Sequence, residues 1–312
     1  MVTLIAAVGL ATADKRTARV GLMRIAPVDL PSGGDYDHAD VHLRSGRVYL
    51  ANTALDQVEV LDGPGARHLG SIVGCAGASG VLAIGEAIVA AARGSGEVLV
   101  LDGASAQPLR RFPVGPAPNG LAWDADQARL LVADTSEHTA RLVDLAGSAT
   151  ATIALPGRPR WAVHDARTGH FYVNVKDPAG VIALDSADLA TLGWLPLAAI
   201  GPHGLGVDAE RGVLLVACDD ASLRFLDPTS GHELHALALA GEPDVVFVDA
   251  RRASAYVCVG DPPTLHVVDL DERAAREAIS TGVGAKTAAL DAERGRLYVF
   301  VPTEGQAWVY QL

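Results

Sequence analysis

Eight polar residues recur at corresponding points of the chain and could do chemistry together: Asp37 with His38 beside it, Ser79, Asn119, Arg160, His203, Asp244 and Lys286. Two carboxylates, two imidazoles and an amide (Asp37, His38, Asn119, His203 and Asp244) form a donor set for a divalent cation. Its oxygens suit Ca or Mg, and its two histidines move the preference toward Zn. Such an ion polarises a carbonyl or activates water, which makes His203, His38 and Asp244 the catalytic candidates of a metal-dependent hydrolase, lactonase or lyase. Arg160 and Lys286, with Arg93, offer charge-assisted hydrogen bonds to a carboxylate or phosphate. Ser79, Asn119, Asp134 and Asp219 complete a polar lining for a small polar molecule or a protein loop. Two blander accounts stand beside these. Polar residues can simply face a water-filled channel, or the rim can serve as a protein-interaction scaffold.

What positions these residues is a repeat. One phrase returns as DADQARLLVAD from Asp124, DARTGHFYVNV from Asp165, DAERGVLLVAC from Asp208, DARRASAYVCV from Asp249 and DAERGRLYVFV from Asp291. HLRSGRVYLAN from His42 is a sixth copy, and GVLAIGEAIVAAA from Gly80 a shorter seventh. A second phrase follows each and ends at Asp62, Asp102, Asp144, Asp185, Asp227, Asp269 and Gln311, positions 40, 42, 41, 42, 42 and 42 residues apart. Three short apolar runs and a variable fourth, split by turn residues, predict four strands per unit and no helix. Four strands in about 40–45 residues is one blade of a β-propeller, so an all-β, seven-bladed propeller with four-stranded antiparallel blades is expected.

The seventh unit stops after its third strand, while VGLMRIAPVDL (20–30) precedes the first unit without one of its own. This N-terminal strand is expected to complete the last blade and close the ring, so that 20–312 form one domain. In register, the eight residues start the innermost strands. Asn52, Arg93, Asp134, Lys176 and Asp219 end second strands, whose following loops rise on the same side. The recurrent Asp124, Asp165, Asp208, Asp249 and Asp291 read as turn caps rather than catalysts, as do the acids that end third strands. His42 occupies a turn slot and reads as structural.

The phrases PNGLAWDADQARLLVAD and GEPDVVFVDARRASAYV resemble the YVTN-type repeats of the YncE-like β-propeller family, and the likeness runs over about residues 35–312. It implies an exported bacterial propeller with a binding role. Propeller lactonases of the gluconolactonase type hold an axial cation with Glu, Asn and Asp. No glutamate stands at a strand start here, so that site does not carry over. Streptogramin lyases share a histidine at a propeller mouth, but no residue-level match to them exists.

Composition bounds the partners. The 312 residues are 49% hydrophobic and 20% charged, with 33 glycines and 17 prolines that fit many turns. A formal net charge of −12 argues against nucleic acid and anionic membranes. No apolar run outside the N-terminus approaches a membrane span, and a monomer is expected. The N-terminal MVTLIAAVGLATA ends in Ala-Thr-Ala but lacks a basic start, so 1–19 read as a truncated signal or flexible tail. A periplasmic or secreted location is the expectation, a cytoplasmic one the alternative. Cys75, Cys218 and Cys258 show neither metal nor redox spacing. P-loop, GxSxG, HExxH and CxxCH motifs are absent.

Overall fold

The computed structural model describes residues 21–312, so the reading of 1–19 as a signal or tail lies outside the described residues. Seven four-stranded antiparallel sheets follow one another along the chain. Their first strands are Tyr36–His42, Ala78–Ile84, Pro118–Asp124, Pro159–Asp165, Pro202–Asp208, Pro243–Asp249 and Thr287–Asp291, which number blades 1 to 7. Each first strand touches the first strand of the next blade, and that of blade 7 touches that of blade 1. The ring is closed, and the first strands wall a central channel.

Middle strands are buried on both faces, as VLLVAC at Val213–Cys218 shows, because each blade is covered by two neighbours. The hydrophobic clusters lie between blades. Val48, Leu50 and Tyr36 of blade 1 pack with Tyr298 and Phe300 of blade 7, and Phe171 and Val173 of blade 4 pack with Leu131 and Leu142 of blade 3. Outer strands are wet by comparison, as in Ala274–Ser280.

Ring closure uses the N-terminal strand as expected. Met23–Asp29 pairs antiparallel with Gln306–Gln311, from Met23 opposite Gln311 to Asp29 opposite Gln306. Val28 enters the core between blades 7 and 1, and the Arg24 guanidinium lies 3.5 Å above the Trp308 ring.

The acids at the first turns act as caps. Asp124 accepts from the amides of Asp126 and Gln127, and Asp208, Asp249 and Asp291 each accept from the amide three residues on. In blades 5, 6 and 7 that third residue is an arginine that also reaches the following blade. Arg211 binds Asp271, Arg252 the Ala292 carbonyl and Arg294 the Leu43 carbonyl. His42 bonds Ser45 Oγ at 2.7 Å within its own turn. The three cysteines are buried and free.

At the channel, backbone meets backbone across blades. A Cβ on Gly120 would lie 2.2 Å from the Arg160 carbonyl oxygen, and one on Gly204 would lie 2.6 Å from that of Asp244. Only glycine admits the neighbouring strand so closely.

Deleting residues 21–30 should expose the edge of Gln306–Gln311 and lower the melting temperature by about 10 °C or more, since a chain of this size loses about 2–4 °C per kcal/mol. An unchanged melting curve would refute the latch. Gly120→Ala should destabilise by about 3 kcal/mol through overpacking, measured by urea unfolding. A neutral result would mean that the channel wall yields.

Candidate functional site

The candidate residues owe their direction to one irregularity repeated around the ring. In blades 1 to 6 the pairing of first and second strands shifts between Tyr36 and Ala39, Ala78 and Val81, Pro118 and Gly120, Pro159 and Ala162, Pro202 and Leu205, and Pro243 and Val245. Asp37, Ser79, Asn119, Arg160, His203 and Asp244 fall in these bulges, and a bulge re-aims the side chain it carries. In blade 7 the strand starts at Thr287 without a shift, and Lys286 stands just ahead of it.

Cross-blade bonds hold the bulges. Asn174 Nδ2 donates to the carbonyls of His203 and Gly204, at 3.0 and 2.9 Å. Ser79 Oγ donates to the Pro118 carbonyl and Thr53 Oγ1 to that of Ala78. Ser79 is therefore buried in the wall rather than presented to a ligand.

The mouth is a cavity of about 780 Å³ whose charged lining is Asp35, Asp37, Arg93, Arg160, His203, Glu242, Asp244, Asp261 and Lys286. Two lining cations, Arg93 and Lys286, and Lys176 outside the lining are matched by carboxylates. Arg93 Nη2 donates to Asp37 Oδ2 at 2.6 Å, Lys176 Nζ to Asp219 Oδ2 at 2.6 Å, and Lys286 Nζ lies 3.3 Å from Asp35 Oδ1. Arg160 has no carboxylate within ion-pair distance among the described residues. Its Nη2 lies against Nε2 of His203, and its Nε is buried without a hydrogen-bond partner.

His203 is held between two acids, with Nδ1 3.3 Å from Asp219 Oδ1 and Nε2 2.8 Å from Asp244 Oδ1. Burial works against its charge, but the hydrogen bonds to Asp219 and Asp244 outweigh it and raise the imidazole pKa above its ordinary value. Burial opposes ionisation of Asp219 and Asp244 too, yet their bonds to His203 bring both carboxyls down to about 2. Glu242 is raised by burial and by the charge of nearby Asp219.

Not every predicted residue reaches this cluster. Asp134 is consumed as a turn cap, accepting the amides of Ala117, Ser136 and Glu137. Asn119 is buried and does not line the mouth. His38 leans on the Trp161 ring, with centroids 4.0 Å apart, and its Nε2 is 3.3 Å from Asp37. The five residues expected to share a cation therefore do not close on one point. Among the described residues, the group whose ligand atoms lie within 4.8 Å of one another is His203, Asp219 and Glu242.

Asp35 and Glu242 were missed, although the repeat held the signal. Each stands two positions before its bulge residue, Asp37 or Asp244, where blade 4 has Arg158 and blades 2, 5 and 7 have glycine.

The fold and this charged mouth define the class, a seven-bladed β-propeller. No family model matches the chain, and no curated protein matches its sequence. Among solved structures, one titled Kuenenia stuttgartiensis hydrazine synthase is similar with a TM-score of 0.82, covering 91% of this chain and 96% of that one at 13% identity. At that identity the likeness speaks for the fold alone. No helix among the described residues is long and apolar enough to cross a membrane.

The pH dependence of stability follows from the signs. The raised His203 pKa contributes stability present below its ordinary value of about 6.5 and lost as pH rises through the raised value. The lowered Asp219 and Asp244 contribute stability present above the ordinary carboxylate range and lost as pH falls toward about 2. His203→Gln should therefore lower the melting temperature clearly at pH 5.5 (about one unit below the ordinary value) and much less at about pH 9. A loss of equal size at both would show that the ring is held by shape rather than by charge.

Proposed function

We propose that this chain is a YncE-like binding propeller that holds a small polar ligand with an anionic group at the channel mouth, anchored on Arg160. The observation that carries the reading is the state of Arg160. It is the mouth cation without a carboxylate partner among the described residues, and its Nε lies buried and unbonded beside a cavity of about 780 Å³. Arg160 is half-buried and Asp244 and Asp37 act on it only from a distance, so an incoming carboxylate or phosphate would supply paired hydrogen bonds that they do not. Asp37, Glu242 and Asp244 face the same space and would accept from hydroxyl or ammonium groups of the ligand. The volume is that of an ordinary small-molecule site. Membership of the YVTN-type family is supported by the repeat phrases themselves.

One observation favours a second reading, a divalent-metal-dependent hydrolase, lactonase or lyase. His203, Asp219 and Glu242 offer one nitrogen and two oxygens within 4.8 Å of one another. This mixed set suits Zn better than Ca or Mg. Lys176 and Arg160 crowd the same atoms, which weighs against a cation there.

Thermal shifts against a panel of small carboxylates and phosphates test the first reading. A ligand at 100 times its Kd stabilises by about 2.7 kcal/mol. That shift should vanish in Arg160→Ala and return in part in Arg160→Lys. No shift with any member of the panel would overturn the anion reading. A shift with Zn, Ca, Mg or Mn that disappears in Glu242→Gln would favour the metal reading instead.

A further inference from the structure

Below the mouth lies a second cavity of different character. It measures about 400 Å³ and is walled by inner strands of blades 1 to 6, with Val81, Leu82, Trp123, Val207 and Phe247 among its apolar lining. It shares no lining residue with the mouth. The His38 and Trp161 rings, from blades 1 and 4, meet at 4.0 Å between centroids, and Phe247 of blade 6 stands edge-on to Trp161 at 6.4 Å. His38 and Trp161 stand one residue beyond Asp37 and Arg160 along their strands, Phe247 three beyond Asp244, and all three line the well.

The well contains two further polar side chains, and they differ. Asp40 is tied into the wall, its carboxylate accepting from the amides of Val41 and Ala83 at 2.7 and 2.8 Å. The His164 side chain is 7% exposed, its Nε2 is buried without a hydrogen-bond partner, and its ring makes no hydrogen bond among the described residues. Its Nε2 is 3.6 Å from Asp124 Oδ2, which favours the proton on Nε2 and leaves Nδ1 as a lone acceptor. Burial holds this imidazole below its ordinary pKa, hence neutral. An apolar cavity of about 150 Å³ accommodates benzene, so this well has room for two fused rings.

We propose that the well is a second binding site, independent of the mouth, for a small uncharged aromatic alcohol whose rings fill the apolar walls and whose hydroxyl donates to His164 Nδ1. An anionic ligand is disfavoured, because Asp40 lines the space and no lysine or arginine does. A wholly apolar ligand would leave the imidazole unbonded.

Isothermal titration calorimetry with 2-naphthol and with naphthalene tests this. One 2-naphthol should bind per chain, about fivefold more tightly than naphthalene, the fold-change of one net hydrogen bond. His164→Phe should erase that difference while keeping naphthalene binding. Leu82→Trp should abolish both by filling the well, and Val207→Phe serves the same purpose should the tryptophan variant not fold. Arg160→Ala should leave 2-naphthol binding unchanged, even where it abolishes anion binding at the mouth. No saturable heat up to the solubility of 2-naphthol would overturn the proposal. So would binding that survives the filling variants, or a fivefold preference that survives His164→Phe.

Discussion

No blade of this ring can bury its own faces. The middle strands are apolar on both sides, so each sheet is stable only when covered by two neighbours, and the seven clusters that form the core lie between blades. That dependence is circular, and it sets the position of everything at the axis. Gly120 and Gly204 let adjacent strands approach until a carbonyl oxygen occupies the space of a side chain. The bulges of blades 1, 4, 5 and 6 then turn Asp37, Arg160, His203 and Asp244 toward the opening. The chemistry of the mouth is thus a by-product of how tightly the inner strands are drawn together.

Charge completes what packing begins. His203 bridges Asp219 of its own blade and Asp244 of the next, while Arg93 of blade 2 reaches Asp37 of blade 1. Ion pairs at the surface contribute little, but these are partly buried, and the pairs His203–Asp244 and Arg93–Asp37 run across blade boundaries. They lock neighbouring blades in register at the place where the inner strands are irregular. On the opposite rim, the arginines after the first-turn caps of blades 5, 6 and 7 reach across the same boundaries.

Much of the fold can be read from the order of residues. The period of the repeat, the turn-capping acids and the orphan N-terminal strand lead to the ring and its seam. The polar ring can also be read, because in blades 3 to 7 its members stand five residues before the turn acids, and blades 1 and 2 align with them. What cannot be read is which of them are spent on structure. Ser79 shares the register of Arg160, and Asp134 that of Arg93 and Asp219, yet Ser79 bonds a neighbouring carbonyl and Asp134 caps its own turn. The contribution of His38 depends on a ring from blade 4 lying against it, a contact between positions more than a hundred residues apart. Register places a residue at the mouth. Only the three-dimensional arrangement decides whether its polar atoms are already occupied.

The seam in blade 7 has a mechanical meaning. Every other blade is a single continuous stretch of chain, whereas this one joins the strand at 23–29 to the strand at 306–311 by hydrogen bonds and side chains alone. The described chain ends meet at the pair Met23 and Gln311, so a pull that separates them loads the ladder at one end and opens it bond by bond. The same ring resists a pull on any internal loop as a whole. A tether at either terminus would make this seam the weakest link under tension, and the blade that unzips first would be the one beside Lys286.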